Sequence, residues 1–171
     1  RDVKLLVVNK YHFDLDYYGG RGLAVCPEMG GEDAAIWVRT YHNAENGRVE
    51  ITLTDADGVV VGCGEDNDET IIIEKAHLWH GIEDPYLYTA EAVLYVDGVA
   101  RDKVSVRFGC RSFRIDSDKG FILNGKPYPL RGVCRHQDWK GIGNAITREH
   151  HDTDMALIRE VGANTIRLAH Y

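Results

Sequence analysis

The spacing of short apolar segments constrains this fold more than any other feature of the sequence. Within residues 48–54, Val49, Ile51 and Leu53 alternate with polar side chains, so they lie on one face of a predicted strand. Segments of this kind recur, and together they predict strands over residues 3–8, 12–17, 22–26, 34–42, 48–55, 59–64, 69–77, 87–96 and 99–108. Short strands at this spacing, without a helical period, predict an antiparallel β-sandwich.

Turn residues separate the predicted strands. Aspartate or asparagine before glycine tolerates the positive φ of hairpin turns. Three such pairs predict hairpins: Asn46-Gly47, Asp57-Gly58 and Asp97-Gly98. Cys26 precedes Pro27 and the Gly30-Gly31 loop, and is therefore predicted at the end of a strand. We expect the four cysteines to be free thiols, because they form no C-x-x-C pair and match no zinc spacing.

The last third of the sequence follows a different pattern. A hairpin over residues 121–128, turning at Asn124-Gly125, precedes an apolar strand over residues 129–134, an amphipathic helix and a second apolar strand over residues 164–169. A strand, a helix and a parallel strand make one βαβ unit. A complete (β/α)8 barrel needs about 250 residues, so the roughly 40 residues that follow the hairpin hold at most its first βαβ unit.

The predicted helix has recognisable ends and a predicted buried face. Thr147 is its N-cap and Gly162 is its C′ residue. Five residues are predicted to form the face that covers the sheet: Met155, Leu157, Ile158, Val161 and Gly162. Three acidic residues lie in the early turns, where the helix dipole favours them: Glu149, Asp152 and Asp154.

Charge and hydropathy argue against two classes of partner. The net charge of the 171 residues is -7, and no cluster of Lys and Arg is present to bind phosphates, so we expect no nucleic-acid partner. No stretch approaches the roughly 18 consecutive apolar residues of a membrane span, and we expect a soluble protein. The sequence begins without Met and stops just after a strand, so we expect a piece of a longer protein.

Two groups of motifs occur together in the second half of the sequence. The first group comprises Asn124-Gly125-Lys126-Pro127, Arg131-Gly132-Val133, Arg135-His136, Ala163-Asn164, Arg167, His170 and Tyr171. The second group lies upstream and comprises Trp79, Pro85, Leu87, Tyr88, Gly109 and Arg111-Ser112-Phe113. Over about the last 95 residues, their order and spacing resemble family 2 glycoside hydrolases, and bacterial β-galactosidases most of all.

The resemblance implies a fold and a domain organisation. Residues 1–111 would form an immunoglobulin-like β-sandwich, and residues 112–171 the N-terminal fragment of a TIM-barrel catalytic domain. The fold class is then mainly β, an antiparallel immunoglobulin-like β-sandwich followed by the truncated βαβ start of a (β/α)8 barrel. The sandwich would be a scaffold whose neighbours are a jelly-roll domain and the rest of the barrel. In some members of the family the sandwich also forms a subunit interface, so the resemblance leaves open whether the protein is a homo-oligomer.

The resemblance also implies which residues bind the sugar. His136 and His170 match two histidines that contact the sugar and support its transition state, and Arg167 matches a substrate-contacting arginine. Asp138 occupies the place of an aspartate that binds sugar hydroxyls in relatives such as β-glucuronidases. Trp139 departs from the commonest pattern, and we predict it as an aromatic platform for a sugar ring. From the residues alone, His136 and Arg167 could instead satisfy backbone carbonyls at a barrel rim.

Activity depends on residues that the resemblance places elsewhere. Retaining glycosidases need two carboxyl groups about 5 to 5.5 Å apart, and in this family both are glutamates on later barrel strands. We therefore expect no catalytic residue in this sequence and no activity of the chain alone. The longer protein would be a retaining exo-β-galactosidase that hydrolyses terminal β-galactosides. The alternatives are a β-glucuronidase or β-mannosidase of the same family, and a stand-alone sandwich that binds carbohydrate or protein through Tyr11, Tyr17, Tyr18 and Tyr41.

No cofactor or metal is predicted for these residues. His150 and His151 are adjacent on a helix and diverge, no H-E-x-x-H spacing occurs, and His77 and His80 beside Trp79 suit a structural role. The resemblance allows Mg²⁺ or Na⁺ in the longer protein, bound largely by residues outside this sequence. It leaves the sugar, the linkage and the compartment open, and we expect the bacterial cytoplasm or periplasm.

Overall fold

Seven of the alternating segments form strands in the computed structural model, which describes residues 3, 5–65 and 67–168. The strands are β1 Leu23–Gly30, β2 Asp33–Thr40, β3 Arg48–Thr54, β4 Val60–Gly64, β5 Asp68–Ile73, β6 Tyr88–Val96 and β7 Val99–Phe108. One sheet has the order β1-β2-β5 and the other the order β4-β3-β6-β7. Every pairing within the two sheets is antiparallel, so the predicted β-sandwich is confirmed.

The alternating residues of both sheets build the core of the sandwich. Ile36 and Val38 of β2 and Ile51 and Leu53 of β3 are at most 1% exposed, and they belong to one buried cluster with Leu94 of β6. Their neighbours along each strand are less buried, which is the period of two that the sequence shows. Burial of branched apolar side chains from two facing sheets is the main force that stabilises such a sandwich.

Two of the predicted strands and one predicted hairpin are wrong. The described part of residues 3–8 forms no strand, and residues 12–17 form only the isolated bridges of Phe13 with His42 and of Tyr17 with Gly20. Asn46-Gly47 does not join paired strands, because β2 and β3 on either side of it belong to different sheets. Its turn signal is local, whereas the pairing of the next strand depends on the whole sheet.

The prediction for Cys26 is also wrong. Cys26 lies in the middle of β1, directly opposite Trp37 of β2, because the strand continues through Pro27 to Gly30. All four cysteines are free thiols. Cys110 is fully buried, and burial raises the pKa of its thiol to about 11, since an apolar environment disfavours the thiolate.

The motif residues of the sandwich pack against one another. A Cβ atom on Gly109 would lie 2.8 Å from Cβ of Trp79, so only glycine leaves room for the tryptophan. The guanidinium of Arg111 covers the Trp79 ring at 4.9 Å. The Tyr88 hydroxyl accepts a hydrogen bond from the His77 backbone N–H at 2.8 Å. Packing at close range therefore explains why this segment has Trp, Gly and Arg at these positions.

We predict that Gly109→Ala lowers the free energy of unfolding of the sandwich by about 1 to 3 kcal/mol, because the new methyl group overlaps Trp79. Gly30→Ala is the matched control, since its Cβ would meet no atom within 4 Å and its φ is not positive. Urea unfolding of the 171-residue chain measures both. Equal midpoints for the two variants would contradict this account of Gly109.

The sandwich unit ends at Phe113, and the remaining elements lie in a second compact unit from Arg114 onward, except that Phe113 is also the first residue of β8. These elements are β8 Phe113–Asp116, β9 Gly120–Leu123, β10 Lys126–Pro127, β11 Gly132–Arg135, α1 Arg148–Glu160 and β12 Thr165–Leu168. β8, β9 and β10 form one sheet, and β11 pairs in parallel with β12. The predicted βαβ order of β11, α1 and β12 is confirmed.

The turns and helix ends of this unit follow the sequence signals. Asn124 and Gly125 both have positive φ, 50° and 77°, in the turn between β9 and β10. Thr147 is the N-cap of α1, with an extended backbone, and Gly162 follows the helix with φ 77°. The N–H groups of Gly162 and Ala163 bond back to the carbonyls of Arg159 and Ile158, which satisfies the last turn. Among the described residues, no helix is both long and apolar enough to cross a membrane.

Candidate functional site

The candidate site lies at the carboxyl ends of β11 and β12. These strands run in parallel, with Cys134 opposite Arg167 and Arg135 opposite Leu168, so their carboxyl ends lie at one edge of the sheet. His136 and Asp138 follow β11 directly, and both are exposed. The structure thus brings the segment that contains His136 and Asp138 next to the strand that contains Arg167. His170 lies outside the described residues.

The two faces of this small sheet differ in character. Arg167 and Cys134 share one face, where Nη1 of Arg167 lies 3.9 Å from Sγ of Cys134, and both side chains are exposed. Arg135 points to the opposite face, toward α1, and is buried. Successive residues of a strand point to opposite faces. The exposed face therefore carries a guanidinium group that can donate hydrogen bonds to a ligand.

The loop after β11 places Trp139 against the helix. The backbone of Trp139 exchanges two hydrogen bonds with Gly143, each 2.9 Å long, and closes a short turn. The indole ring meets the ring of His150 edge to face, with the centroids 4.7 Å apart. The predicted role of Trp139 as a sugar platform stays a prediction, and its observed contact is with α1.

Arg135 is the buried centre of a polar cluster that the sequence patterns do not predict. Its Nε and Nη2 donate to Oδ2 of Asp154, at 2.9 and 2.6 Å, and Nη2 lies 2.9 Å from Nδ1 of His151. The Arg135 side chain is only 6% exposed. Arginine has no acceptor, so Nδ1 of His151 accepts this hydrogen bond and carries no proton. We call Arg135, His151 and Asp154 the Arg135 clamp.

The clamp corrects two predictions about α1. The sequence predicts that Asp154 interacts with the helix dipole, but Asp154 lies in the second turn and its carboxylate pairs with Arg135. The predicted apolar face is also wrong, because no residue of α1 is buried and Leu157 and Val161 are 54% and 74% exposed. Of the four partly buried residues, His150 contacts Trp139, whereas His151, Asp154 and Ile158 lie on one face, and of these three only Ile158 belongs to the predicted face. Their i, i+3, i+7 spacing was the available signal for a polar face directed at Arg135.

Two acidic residues of α1 have side-chain partners within this unit. Glu149 accepts a hydrogen bond from the Thr147 hydroxyl, and this bond lowers the pKa of the Glu149 carboxyl. Asp154 is engaged by Arg135. Both carboxylates therefore have structural contacts at the helix. Over residues 3, 5–65 and 67–168, no group of three or more His, Cys, Asp or Glu side chains is arranged to hold a metal ion.

Three of the tyrosines named for a stand-alone binding module, Tyr17, Tyr18 and Tyr41, contact one another. The rings of Tyr17 and Tyr41 stack with their centroids 4.2 Å apart, and the Tyr17 hydroxyl donates to the Tyr41 hydroxyl at 3.2 Å. This hydrogen bond raises the pKa of Tyr17. Tyr18 lies at the tip of a tight turn and is 94% exposed. These contacts leave Tyr18 as the tyrosine of this group that is most accessible to a ligand.

A groove of about 500 Å³ lies elsewhere on the sandwich, lined in part by Ile72, Tyr86 and Tyr88. The His77 ring stacks on Tyr86 with the centroids 3.9 Å apart, and its Nε2 lies 2.7 Å from Oδ2 of Asp84. These contacts agree with the structural role predicted for His77.

Comparison with known proteins identifies the family. One family model, described as glycosyl hydrolases family 2, matches residues 23–111, and a second, described as glycosyl hydrolases family 2, TIM barrel domain, matches residues 113–171. The chain belongs to glycoside hydrolase family 2. The second match makes the β11-α1-β12 unit the start of a TIM-barrel domain, as the sequence predicts.

The similar proteins are named after one of two activities, β-glucuronidase or β-galactosidase. A β-glucuronidase of Bacteroides fragilis is 38% identical over 100% of the chain and 27% of its own length. A β-galactosidase of Bacteroides ovatus is 31% identical over 90% of the chain and 20% of its own length. The crystal structure of an FMN-binding β-glucuronidase from Facaelibacterium prausnitzii superimposes with a TM-score of 0.89 at 38% identity, covering 96% of the chain and 26% of the relative.

These relatives favour one of the alternatives over the first interpretation. The chain is a glycoside hydrolase family 2 sequence, and most of the similar curated proteins carry the name β-glucuronidase rather than β-galactosidase. The chain spans 27% of the length of the Bacteroides fragilis relative. Because the chain covers so little of this relative, the reaction of a longer protein that contains it is proposed separately below.

Proposed function

We propose that the chain is part of a retaining β-glucuronidase, which hydrolyses terminal β-D-glucuronides. The observation that carries this proposal is the 38% identity to the Bacteroides fragilis β-glucuronidase over the whole chain, through both the sandwich and the barrel start. Asp138 is compatible with this proposal, because the resemblance matches it to an aspartate that binds sugar hydroxyls in relatives such as β-glucuronidases. A carboxylate accepts hydrogen bonds from two neighbouring hydroxyls.

In this proposal the chain supplies one wall of the sugar site and no bond-breaking group. His136 and Asp138 extend from the end of β11, and Arg167 extends from the exposed face of β12. Together with His170, they would donate and accept the hydrogen bonds that orient the sugar ring. The acid/base and nucleophile carboxyl groups of a retaining enzyme would come from the rest of the barrel. The sandwich would act as a scaffold.

The second candidate is a β-galactosidase. The Bacteroides ovatus relative supports it, because it is 31% identical over 90% of the chain. Both sugars are pyranosides with the same scissile bond and differ in the group at C5 and the hydroxyl at C4. This chain would contact features that the two sugars share.

The test is hydrolysis of p-nitrophenyl β-D-glucuronide and β-D-galactoside by the longer protein and by the 171-residue chain, side by side. We expect glucuronide turnover by the longer protein and none by the chain, because in this proposal the carboxyl pair comes from the rest of the barrel. A longer protein that cleaves only the galactoside would replace the proposed substrate with the second candidate. Specific, saturable hydrolysis by the chain alone would contradict the proposal that the catalytic carboxyl groups come from the rest of the barrel.

A further inference from the structure

The Arg135 clamp is a buried charged cluster without a role in the proposal above. Two donors of one guanidinium bond the same oxygen of Asp154, and one of them also bonds His151. The Arg135 side chain is 6% exposed and that of Asp154 is 23% exposed. Desolvation of such charges offsets much of their attraction, so the pair contributes little net stability compared with apolar side chains of the same size. Stability alone is therefore a weak explanation for the clamp.

Such a cluster fixes the orientation of the Arg135 side chain relative to α1. A planar guanidinium donates along set directions, and contacts to two side chains leave it little freedom. His151 and Asp154 lie one helical turn apart on the same face of α1. The clamp therefore joins the carboxyl end of β11 to the helix that follows it.

The segment after β11 needs a support of this kind. The ladder between β11 and β12 ends with the pair Arg135 and Leu168, so His136 and Asp138 lie beyond the last strand pairing. Groups that act on a bound sugar must stay within about 0.5 Å of their productive positions. Arg135 is the residue before His136, so the position of its backbone sets where this segment starts.

We infer that Arg135 is a positioning residue for the glycosidase site: through Asp154 and His151 it anchors the end of β11, and it thereby places His136 and Asp138 against the sugar. This inference rests on the proposed function, because it assumes that the segment after β11 contacts a glycoside. Arg135 itself contacts the helix and not the sugar.

The test uses two variants of the longer enzyme. Arg135→Met with Asp154→Leu replaces the buried pair by apolar side chains of similar size, which preserves stability. Arg135→Lys keeps the charge but loses the two-donor geometry. We expect melting temperatures close to that of the unmodified enzyme, with kcat lowered on the order of 100-fold in the double variant and about 10-fold in Arg135→Lys, and KM little changed.

Asp116→Asn is the matched control, because Asp116 pairs with Arg114 at the surface of the same unit and lies far along the chain from α1. It should leave kcat unchanged. A double variant with unchanged melting temperature and kcat within twofold of the unmodified enzyme would overturn the inference. If the double variant fails to fold, Arg135→Lys is the test. An Arg135→Lys enzyme with unchanged melting temperature and kcat within twofold of the unmodified enzyme would then overturn the inference.

A second measurement separates this inference from the proposed function. Hydrogen exchange of the peptide that contains residues 136–139 should become faster in the double variant, while exchange of β12 stays unchanged. This readout needs no substrate. A longer protein that hydrolyses neither glycoside would remove the proposed function, and unchanged exchange of residues 136–139 would remove the positioning role independently.

Discussion

Replacing Arg167 by alanine in the longer enzyme is expected to lower kcat/KM for its glycoside about 10- to 100-fold, because a hydrogen bond from a charged group contributes about 1.5 to 3 kcal/mol. Arg167 lies in β12 on the face opposite α1, and its side chain is exposed in this chain. Removal of the guanidinium therefore leaves the packing of β11, β12 and α1 intact. Steady-state kinetics with the p-nitrophenyl glycoside measures the effect.

Arg159→Ala is the control for this prediction. Arg159 is an exposed residue in the last turn of α1, where its positive charge interacts favourably with the helix dipole. We assign it no contact with a ligand. Its removal should cost only a few tenths of a kcal/mol in stability and leave kcat/KM unchanged. Equal activities of the two variants would mean that Arg167 is a rim residue, which is the other interpretation that the sequence allows.

Replacing Ile51 by alanine is expected to lower the free energy of unfolding of the sandwich by about 2 to 5 kcal/mol. Ile51 is 1% exposed and lies in β3, between β4 and β6. The substitution removes buried methyl groups and leaves a cavity that the surrounding strands fill only in part. Urea unfolding of the 171-residue chain, followed by tryptophan fluorescence, gives the change in free energy.

Ile72→Ala provides the comparison, since Ile72 also lies in a strand but is 52% exposed. It loses the same atoms and the same strand propensity, so its cost should stay below about 1 kcal/mol. The difference between the two variants isolates burial. A smaller effect at Ile51 than at Ile72 would contradict the described core.

Much of the fold was predictable because it depends on the alternation of apolar and polar residues within each strand. Val49, Ile51 and Leu53 lie on the buried face of β3, as their alternation predicts. Residues 3–8 show the limit of this signal: Leu5 and Val7 are as apolar as core residues, yet they are exposed and unpaired in any strand. A strand needs a partner, and the alternation of one segment does not show where its partner is.

The site was less predictable because it depends on contacts between distant residues. The sequence placed His136 and Asp138 at the end of a strand, where the structure also has them, but it did not connect Arg135 with Asp154, nineteen positions away. Without that contact the apolar residues of α1 defined the expected buried face, which proved wrong. The choice between glucuronide and galactoside was also beyond the sequence patterns, since the motifs in this segment occur with both activities.

The packing of Trp79, Gly109 and Arg111 has a consequence for how such sequences change over time. Because the tryptophan occupies the space that a side chain at position 109 would need, and the arginine covers its ring, no one of the three can change alone without cost. A larger residue at position 109 becomes tolerable only after position 79 has become smaller, and position 111 then loses its aromatic contact. Substitutions at the three positions should therefore be coupled among homologous proteins, and intermediates with one change should be rare.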